Sequence, residues 1–329
     1  MKKIHETTGS LPELISPYLR KLIDKTGGVN GPIGLQFHLL SPADVCIEKN
    51  DPLAEEENEV APGVVYKYQG KLRTDGSVLF YGRALWLISR YCASYCRFCT
   101  RGRVVGLPAD KSQERGETLA QKPYLDEMDI QKALSYFKNH QEINEVILSG
   151  GDPFVTSRKY LEQILESLIT LQKQRDLTII RIHTRVPITN PFFLQDWHYA
   201  LLARIPHLYL VLHINHPAEL TEEVQAIIKK LKNTGATLLS QSVLLKGVND
   251  SPDTLHDLFV QVVTNGIHPY YLHYTDPVPW AKRFTVPLPR AIKLWQTVRP
   301  RLSGIAATAR FVIDTPHHGK IPIADTTEK

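Results

Sequence analysis

Short apolar runs alternate along most of the chain with segments in which apolar residues recur every three to four positions. Runs rich in β-branched residues predict strands, and the three-to-four spacing predicts helices that bury one face. The predicted strands are 84–88, 145–148, 178–182, 209–212, 237–239, 269–272 and 310–313. The predicted helices are 129–140, 159–171, 194–205, 222–234, 253–265 and 290–297. Six strand–helix units with a seventh strand are typical of an α/β barrel of parallel strands.

The first 83 residues follow a different pattern. Apolar residues at helical spacing predict a helix over 11–24, which Gly27 and Gly28 end. The acidic passage 48–59 is typical of a solvated loop. Segments 64–73 and 77–87 are predicted strands that flank a tight turn at 74–76. We therefore divide the chain into an N-terminal extension (1–83), a barrel (84–305) and a C-terminal strand segment (306–329).

Composition excludes several classes of protein. The chain has 329 residues, of which 43% are hydrophobic, enough to bury a large core. Its 39 Lys and Arg against 34 Asp and Glu give a net charge of +5, and no basic block marks a nucleic-acid surface. No apolar stretch approaches the roughly 18 residues of a membrane helix, and the first residues lack an apolar signal core. We expect a soluble cytoplasmic protein that binds neither nucleic acid nor membrane.

Polar residues follow nearly every predicted strand. These positions are 92–99, 149–152, 183–185, 213–216, 241–242, 273–276 and 314–316, and they include His, Arg, Asp and Cys. Because the carboxyl ends of parallel strands meet at one face of a barrel, we expect these side chains to form one active site. The alternative, that loops are polar only because they contact water, predicts Ser, Asn and Lys there instead.

Three of the four cysteines lie within eight residues. The spacing Cys92-x3-Cys96-x2-Cys99 differs from the dispersed cysteines of a disulfide framework and indicates a metal centre. Three thiolates can hold three irons of a [4Fe–4S] cluster and leave the fourth iron for another ligand. Zinc is the alternative, with Cys46 or a histidine as the fourth ligand.

The cysteine loop, with Phe98 just before its last cysteine, resembles that of the radical S-adenosylmethionine (radical SAM) superfamily. Four motifs resemble, in order, the lysine 2,3-aminomutase family: the loop 92–101, Ser-Gly-Gly-Asp at 149–152, the stretch 241–250 and Pro-Tyr-Tyr-Leu at 269–272. The similarity spans about residues 50–323. It implies a partial (βα)6 radical SAM barrel, a [4Fe–4S] cluster on the three cysteines, S-adenosylmethionine and pyridoxal phosphate.

The resemblance also implies roles for individual residues. Those that would bind S-adenosylmethionine are Phe98, Ser149, Gly150, Gly151, Asp152, His213 and Gln241. Those that would hold pyridoxal phosphate are Lys320, which forms the imine, Tyr68 beside the ring, and Lys67, Arg83 and Arg185 on the phosphate. For the substrate, Arg101 matches the family's carboxylate-binding arginine, and Asp276 and Asp314 match two aspartates that hold the far ammonium of lysine. Two carboxylates in one pocket repel each other unless a cation lies between them, which favours a diamino acid.

Two features depart from the family's pattern. His317 and His318 replace glycines in the segment 314–320, which is one residue shorter than its counterpart. About ten residues are inserted between Tyr68 and Arg83, and we interpret them as an added hairpin.

The predicted activity is that of a radical aminomutase that converts L-lysine to β-lysine. As the resemblance implies, the reduced cluster cleaves S-adenosylmethionine to a carbon radical, which takes hydrogen from carbon 3 of the substrate. The amino group then moves from carbon 2 to carbon 3. We expect a small-molecule substrate and an electron donor such as flavodoxin or ferredoxin.

The destination of the product and the exact substrate stay open at this point. Nine residues follow Lys320, and this shortness together with His-Thr-Arg at 183–185 is similar to the branch that makes β-lysine for elongation factor P. Cys-Thr-Arg at 99–101 is instead similar to enzymes that act on free lysine. The sequence is also compatible with arginine or ornithine as the substrate, with an inactive iron–sulfur sensor and with a zinc-stabilised hydrolase.

Overall fold

The computed structural model describes residues 11, 13–39, 51–106, 125–175 and 177–323. The strands are β1 (Glu59–Ala61), β2 (Val64–Tyr68), β3 (Lys71–Leu72), β4 (Val78–Phe80), β5 (Gly82–Ser89), β6 (Ile143–Gly150), β7 (Ile179–Thr184), β8 (Leu208–His213), β9 (Thr237–Val243), β10 (His268–His273), β11 (Arg310–Thr315) and β12 (Gly319–Pro322). The α-helices are α1 (Pro17–Lys25), α2 (Glu127–Asn139), α3 (Arg158–Gln174), α4 (Val186–Thr189), α5 (Asp196–Leu202), α6 (Glu222–Lys232), α7 (Pro252–Thr264) and α8 (Leu288–Val298). In this part of the chain, no helix has both the length and the apolar character needed to cross a membrane.

Ten of these strands form one sheet in the order β1-β2-β5-β6-β7-β8-β9-β10-β11-β12. Strands β5 to β11 run parallel, whereas β2 is antiparallel to β5 and β12 is antiparallel to β11. The sheet has two free edges, so the predicted α/β fold is confirmed as a partial barrel rather than a closed one. The seven parallel strands and the six helices predicted after residue 84 are all present, within a few residues of their predicted ends.

The core lies between the sheet and the helices that connect its strands. Trp86 on β5 packs edge-on against Phe137 of α2, with 5.3 Å between ring centres. Phe259 of α7 packs in the same way against Trp295 of α8 at 5.8 Å. All four side chains are buried, and burial of side chains this large stabilises the fold by about 2–3 kcal/mol each.

The first helix begins later than predicted. Helix α1 starts at Pro17, and the side chain of Ser16 caps it by accepting a hydrogen bond from the backbone N–H of Leu19. Proline lacks a backbone N–H and fits the first turn of a helix but not its interior, so the predicted start at residue 11 was wrong. Leu11 is nevertheless buried, in a small cluster with Tyr95.

Side chains bring the β2 end of the sheet close to its β11–β12 end. Lys67 on β2 lies 3.6 Å from the carboxylate of Asp314 on β11 and also contacts the backbone carbonyl of Thr315. Gly319, at the start of β12, has φ +68°, and a Cβ there would overlap the ring of Tyr68. The gap in the partial barrel is therefore bridged by side-chain contacts rather than by a strand pairing.

The inserted residues between β2 and β5 form the predicted hairpin. Strands β3 and β4 pair around a turn in which the Asp75 carboxylate accepts a hydrogen bond from the backbone N–H of Ser77. Leu72 and Phe80 on this hairpin are exposed. Because β2 pairs with β5 across the base of the insertion, the hairpin leaves Lys67 in place on the main sheet.

Candidate active site

One cavity lies at the carboxyl ends of the parallel strands, where the polar strand-end residues were expected to meet. Every residue assigned a role from the sequence lines this cavity: Lys67, Tyr68, Arg83, Cys92, Cys96, Phe98, Cys99, Arg101, Ser149, Gly150, Gly151, Asp152, Arg185, His213, Gln241, Asp276, Asp314 and Lys320. The structure thus brings together, around one space, side chains that lie up to 253 positions apart in the chain.

Cys92, Cys96 and Cys99 lie on the loop that follows β5. Burial and the neighbouring negative groups raise the pKa of the Cys92 thiol well above its usual value and that of Cys99 to about 12. Ionisation of these two buried thiols therefore needs the positive charge of a bound metal centre. Among the described residues, no three His, Cys, Asp or Glu side chains are close enough together to hold a single metal ion. Cys46, its suggested fourth ligand, lies outside those residues.

Two glycines let the end of β6 pack closely on the start of the cysteine loop. A Cβ on Gly150 would overlap the carbonyl of Ser89, and a Cβ on Gly151 would overlap that of Tyr91. Gly150 also has φ +119°, a conformation that side chains disfavour. The backbone beside the cysteines is therefore free of side chains, as close approach to a ligand requires.

Asp152 is fully engaged within the protein. Its carboxylate accepts hydrogen bonds from the hydroxyl of Thr184 and from the backbone N–H groups of Phe154, Arg185 and Val186, at 2.7–3.1 Å. These contacts join the end of β6 to the end of β7. Both of its oxygens thus have donors within the protein, Asp152 lines the cavity, and its expected contact with S-adenosylmethionine stays a prediction.

Arg185 contacts the cysteine loop. Its Nη1 donates to Sγ of Cys96 at 2.8 Å, and its Nη2 donates to Oε1 of Gln36 at 2.5 Å and to Oε1 of Glu219 at 2.7 Å. The guanidinium is therefore held beside the cysteines. Arg185 lines the same cavity as Lys67 and Arg83, and its expected role at the phosphate of pyridoxal phosphate stays a prediction.

Phe98 and His213 form a wall of the cavity near the cysteines. Their rings meet edge-on with 5.7 Å between centres. Burial lowers the pKa of His213 well below its usual value, so the imidazole is neutral, and its Nε2 is paired with Oδ1 of Asn215 at 3.1 Å. Gln241 reaches the same cavity from β9.

A second group of side chains centres on Lys320. Its Nζ contacts Oδ2 of Asp314, and Lys67 lies 3.6 Å from the other oxygen of that carboxylate. Burial opposes ionisation of Asp314, but the two lysines hold its pKa below its usual value. The guanidinium of Arg83 stacks over the ring of Tyr68, 3.8 Å from its centre. An amine able to form an imine thus lies with two further cations and an aromatic ring.

Arg101 and Asp276 also face the cavity. The guanidinium of Arg101 contacts the carboxylate of Glu55 at 2.7–3.1 Å, and its Nη1 donates to Oγ of Ser149 at 3.2 Å. Asp276 contacts the hydroxyl of Thr100, and burial raises its pKa to about 6. A cation and a carboxylate are therefore both available to a zwitterionic ligand.

Glu55 is buried, although it lies in the acidic passage 48–59 that was predicted to be a solvated loop. Residues 48–50 lie outside the described part of the chain, but Glu55 is only 5% exposed. The prediction of a solvated loop is wrong at this position, because ion pairs with Arg101 and Arg103 compensate the buried charge.

Comparison with known proteins agrees with this geometry. Residues 86–259 match the radical SAM superfamily. The L-lysine 2,3-aminomutase of Methanococcus maripaludis is 32% identical over 98% of this chain and 68% of that protein. The enzyme of the same name from Clostridium subterminale is 31% identical over 95% of this chain and 69% of that protein.

The chain belongs to the lysine 2,3-aminomutase family of the radical SAM superfamily. The proteins of this family are isomerases. Among solved structures, Streptococcus suis SuiB bound to S-adenosylmethionine has a TM-score of 0.50 with 15% sequence identity, and the match covers 72% of this chain and 51% of that one. That likeness concerns the fold alone.

Membership in the radical SAM superfamily implies a [4Fe–4S] cluster and S-adenosylmethionine, and lysine 2,3-aminomutases use pyridoxal phosphate. The donor set fits the cluster, since three thiols share a loop whose buried charges need compensation. The side-chain-free backbone at Gly150 and Gly151 suits a ligand that lies against the cluster. Lys320, Lys67 and Arg83 suit a carbonyl cofactor that bears a phosphate.

Sequence reasoning assigned no role to two other cavity residues of this aminomutase family member. Arg181 lies between Glu145, at 2.8 Å, and the hydroxyl of Tyr270, at 3.0 Å. Nε2 of His183 is buried and has no hydrogen-bond partner within the described part of the chain, and burial and neighbouring cations lower the pKa of this histidine well below its usual value. Because side chains alternate along a strand, positions 181 and 183 of β7 share a face, and this could have found both once residue 183 was expected at the cavity.

Proposed function

We propose that this chain converts L-lysine to β-lysine by moving the amino group from carbon 2 to carbon 3. The observation that supports this most is that Arg101 and two aspartates, Asp276 and Asp314, line the same cavity as Lys320. An arginine can bind the carboxylate of an amino acid, and a pair of carboxylates can bind a second ammonium.

The charges of the cavity favour a diamino acid. Asp276 is raised in pKa by burial and by the negative charge of Asp314, so each carboxylate makes ionisation of the other less favourable. A side-chain ammonium between them removes that cost. When Lys320 leaves Asp314 to react, the substrate's ammonium replaces its charge.

Different residues of the chain would hold the different cofactors. Pyridoxal phosphate would supply the carbonyl that carries the migrating amino group, and the cluster with S-adenosylmethionine would supply the hydrogen-abstracting radical. We propose that Lys320 holds the first cofactor, with Lys67 and Arg83 on its phosphate, and that the three cysteines hold the cluster. Phe98, His213 and Gln241 would contact S-adenosylmethionine with the backbone at 149–151. Burial of these groups excludes water from the reacting atoms.

We also propose an electron donor for the cluster and a destination for the product. The cluster needs an external one-electron donor, such as a flavodoxin or a ferredoxin, in a cytoplasmic setting. The β-lysine formed would serve either a free pool or the modification of elongation factor P.

The test is an anaerobic assay of the reconstituted protein. The unmodified protein and Lys320→Ala are incubated with S-adenosylmethionine, dithionite and, in parallel, L-lysine, L-arginine or L-ornithine. We expect a β-amino acid product from L-lysine only, namely β-lysine and neither β-arginine nor β-ornithine, and only with the unmodified protein. If 5′-deoxyadenosine forms but β-lysine does not, the substrate assignment is wrong. If neither forms with a complete cluster, the chain is an inactive iron–sulfur protein.

A further inference from the structure

The carboxylate of Glu55 accepts hydrogen bonds along one edge of the Arg101 guanidinium. Both oxygens of Glu55 accept from Nε, at 3.0 and 3.1 Å, and Oε1 also accepts from Nη2 at 2.7 Å. This is a side-on pair of a carboxylate with two adjacent nitrogens of the fork. Glu55 is almost completely buried and lines the cavity beside Leu53.

Arg101 has two N–H donors that Glu55 and Ser149 do not use. A guanidinium has five N–H groups. Glu55 takes those of Nε and one of Nη2, and Ser149 takes one of Nη1 at 3.2 Å. In the contacts that the structure describes, one N–H on each terminal nitrogen is left. The hydrogen of Nη2 that Glu55 does not use lies on the end-on edge of the guanidinium, where a carboxylate can bind in a bidentate manner together with a hydrogen of Nη1.

Arg103 fixes the segment that carries Glu55. Its guanidinium lies 3.2 Å from Asp51, 3.0 Å from Glu56 and 3.4 Å from Glu55. Three carboxylates of one short segment are therefore held by the two arginines that follow Cys99 in sequence. The position of Glu55 is thus set by the chain just beyond the cysteine loop.

We propose that Glu55 is a positioning residue for Arg101: it holds the side-on edge of the guanidinium so that the end-on edge faces the substrate's carboxylate. This inference rests on the proposed function in that Arg101 binds an amino-acid carboxylate. Removing Glu55 frees Arg101 to rotate, so the carboxylate of the substrate loses a fixed partner. A charged hydrogen-bond pair of this kind is worth about a tenfold change in affinity or more.

A competition between Glu55 and the substrate for Arg101 would change the affinity for L-lysine in the opposite direction. If Glu55 instead competed with the substrate for Arg101, removing its charge would strengthen the binding of L-lysine. The two arrangements are therefore distinguished by the direction of the change in affinity.

The experiment compares Glu55→Gln and Glu55→Asp with the unmodified holoenzyme. Glu57→Gln is the matched control, because Glu57 is exposed and lies two positions away on the same segment. Calorimetry without reductant gives the Kd of L-lysine and of L-lysinamide, which lacks the carboxylate. The turnover assay gives KM and kcat for L-lysine, and thermal unfolding checks that each variant is folded.

We expect Glu55→Gln to raise the Kd and KM of L-lysine about tenfold or more. The Kd of L-lysinamide should change less than about twofold, because that ligand has no carboxylate to lose. Glu55→Asp, which keeps the charge, should recover part of the affinity, and Glu57→Gln should match the unmodified protein. An unchanged or lower Kd for L-lysine in a folded Glu55→Gln variant overturns the proposal.

Binding of L-lysine and L-lysinamide to the unmodified protein distinguishes a failure of the role of Glu55 from a failure of the proposed reaction. An unmodified protein that distinguishes L-lysine from L-lysinamide but makes no β-lysine leaves the role of Glu55 measurable while the proposed reaction fails. An unmodified protein that binds both ligands equally removes the carboxylate role of Arg101, and the role of Glu55 falls with it.

Discussion

Arg185 donates a hydrogen bond from Nη1 to the sulfur of Cys96 at 2.8 Å. The same guanidinium is paired with the buried carboxylate of Glu219, which also accepts from the backbone N–H groups of Asn215 and His216. A cation that donates to a cluster sulfur stabilises the more negative, reduced state of an iron–sulfur centre. With a cluster bound to the cysteines, as proposed, Arg185 would raise its reduction potential.

We predict that Arg185→Gln makes the cluster harder to reduce. Loss of the charged donor at Cys96 should shift the midpoint potential to more negative values, measured by a redox titration followed by electron paramagnetic resonance. Arg204→Gln is the control, because Arg204 is an exposed residue paired with Glu166. A potential that stays the same, or becomes more positive, in a variant with a complete cluster contradicts this role of Arg185.

Gly319 should tolerate no side chain. We predict that Gly319→Ala lowers stability by about 1–3 kcal/mol, since the new Cβ meets the ring of Tyr68 and φ is positive. Gly76→Ala is the matched control, because φ there is +82° but nothing lies within 4 Å of a Cβ. Thermal unfolding of both variants separates the Tyr68 contact from backbone strain. Equal losses of stability would show that the contact has no effect.

Binding of L-lysine should weaken in mild acid because of Asp276. Its pKa, raised to about 6 by burial, makes it negative above that pH and neutral below it, whereas Asp314 stays ionised. We predict that the KM for L-lysine rises as the pH falls from about 7 to about 5. In Asp276→Asn the KM is high throughout and this pH dependence is lost. The same dependence in the variant would mean that another group titrates.

The raised pKa of Asp276 also makes the stability of the folded protein depend on pH. The folded protein holds a proton on Asp276 more tightly than the unfolded chain does, because its folded pKa exceeds the ordinary value of about 4. This residue's contribution to stability therefore increases as the pH falls from about 6 to about 4. Asp276→Asn should remove that contribution.

Lys320 and Lys67 should differ in how they hold pyridoxal phosphate. We predict that borohydride treatment of the loaded protein fixes a pyridoxyl group on Lys320, identified by peptide mass. Lys320→Ala should abolish this label. Lys67→Ala should keep it but weaken retention of the cofactor about tenfold or more, since a charged partner of the phosphate is lost. A label on Lys67 in the unmodified protein would reverse the two assignments.

The sequence predicted the strands and helices well where apolar periodicity is strong. Helix α6 is an example: Val224, Ile227, Ile228 and Leu231 recur at helical spacing, and all four are buried. The start of α1 was missed because apolar spacing continues upstream of Pro17. The first residue of this helix is instead decided by a single proline and the residue that caps it.

The site was predicted less completely than the fold. Glu55 stands in a run of glutamates, which is the pattern of a solvated segment, and its partner Arg101 is 46 positions away. The resemblance assigned Arg185 to a phosphate, but no local pattern predicts that Gln36 and Glu219, distant in sequence, hold it beside Cys96. Long-range charge pairs of this kind follow from the fold and not from local pattern.

We expect the α-amino nitrogen of L-lysine to become the nitrogen on carbon 3 of β-lysine. The most direct measurement uses L-lysine labelled with 15N at the α-amino group, incubated anaerobically with the reconstituted protein, S-adenosylmethionine and dithionite. We predict β-lysine that carries the 15N on carbon 3, seen by mass spectrometry and NMR, and no such product with Lys320→Ala. Formation of 5′-deoxyadenosine without 15N-labelled β-lysine would contradict the claim.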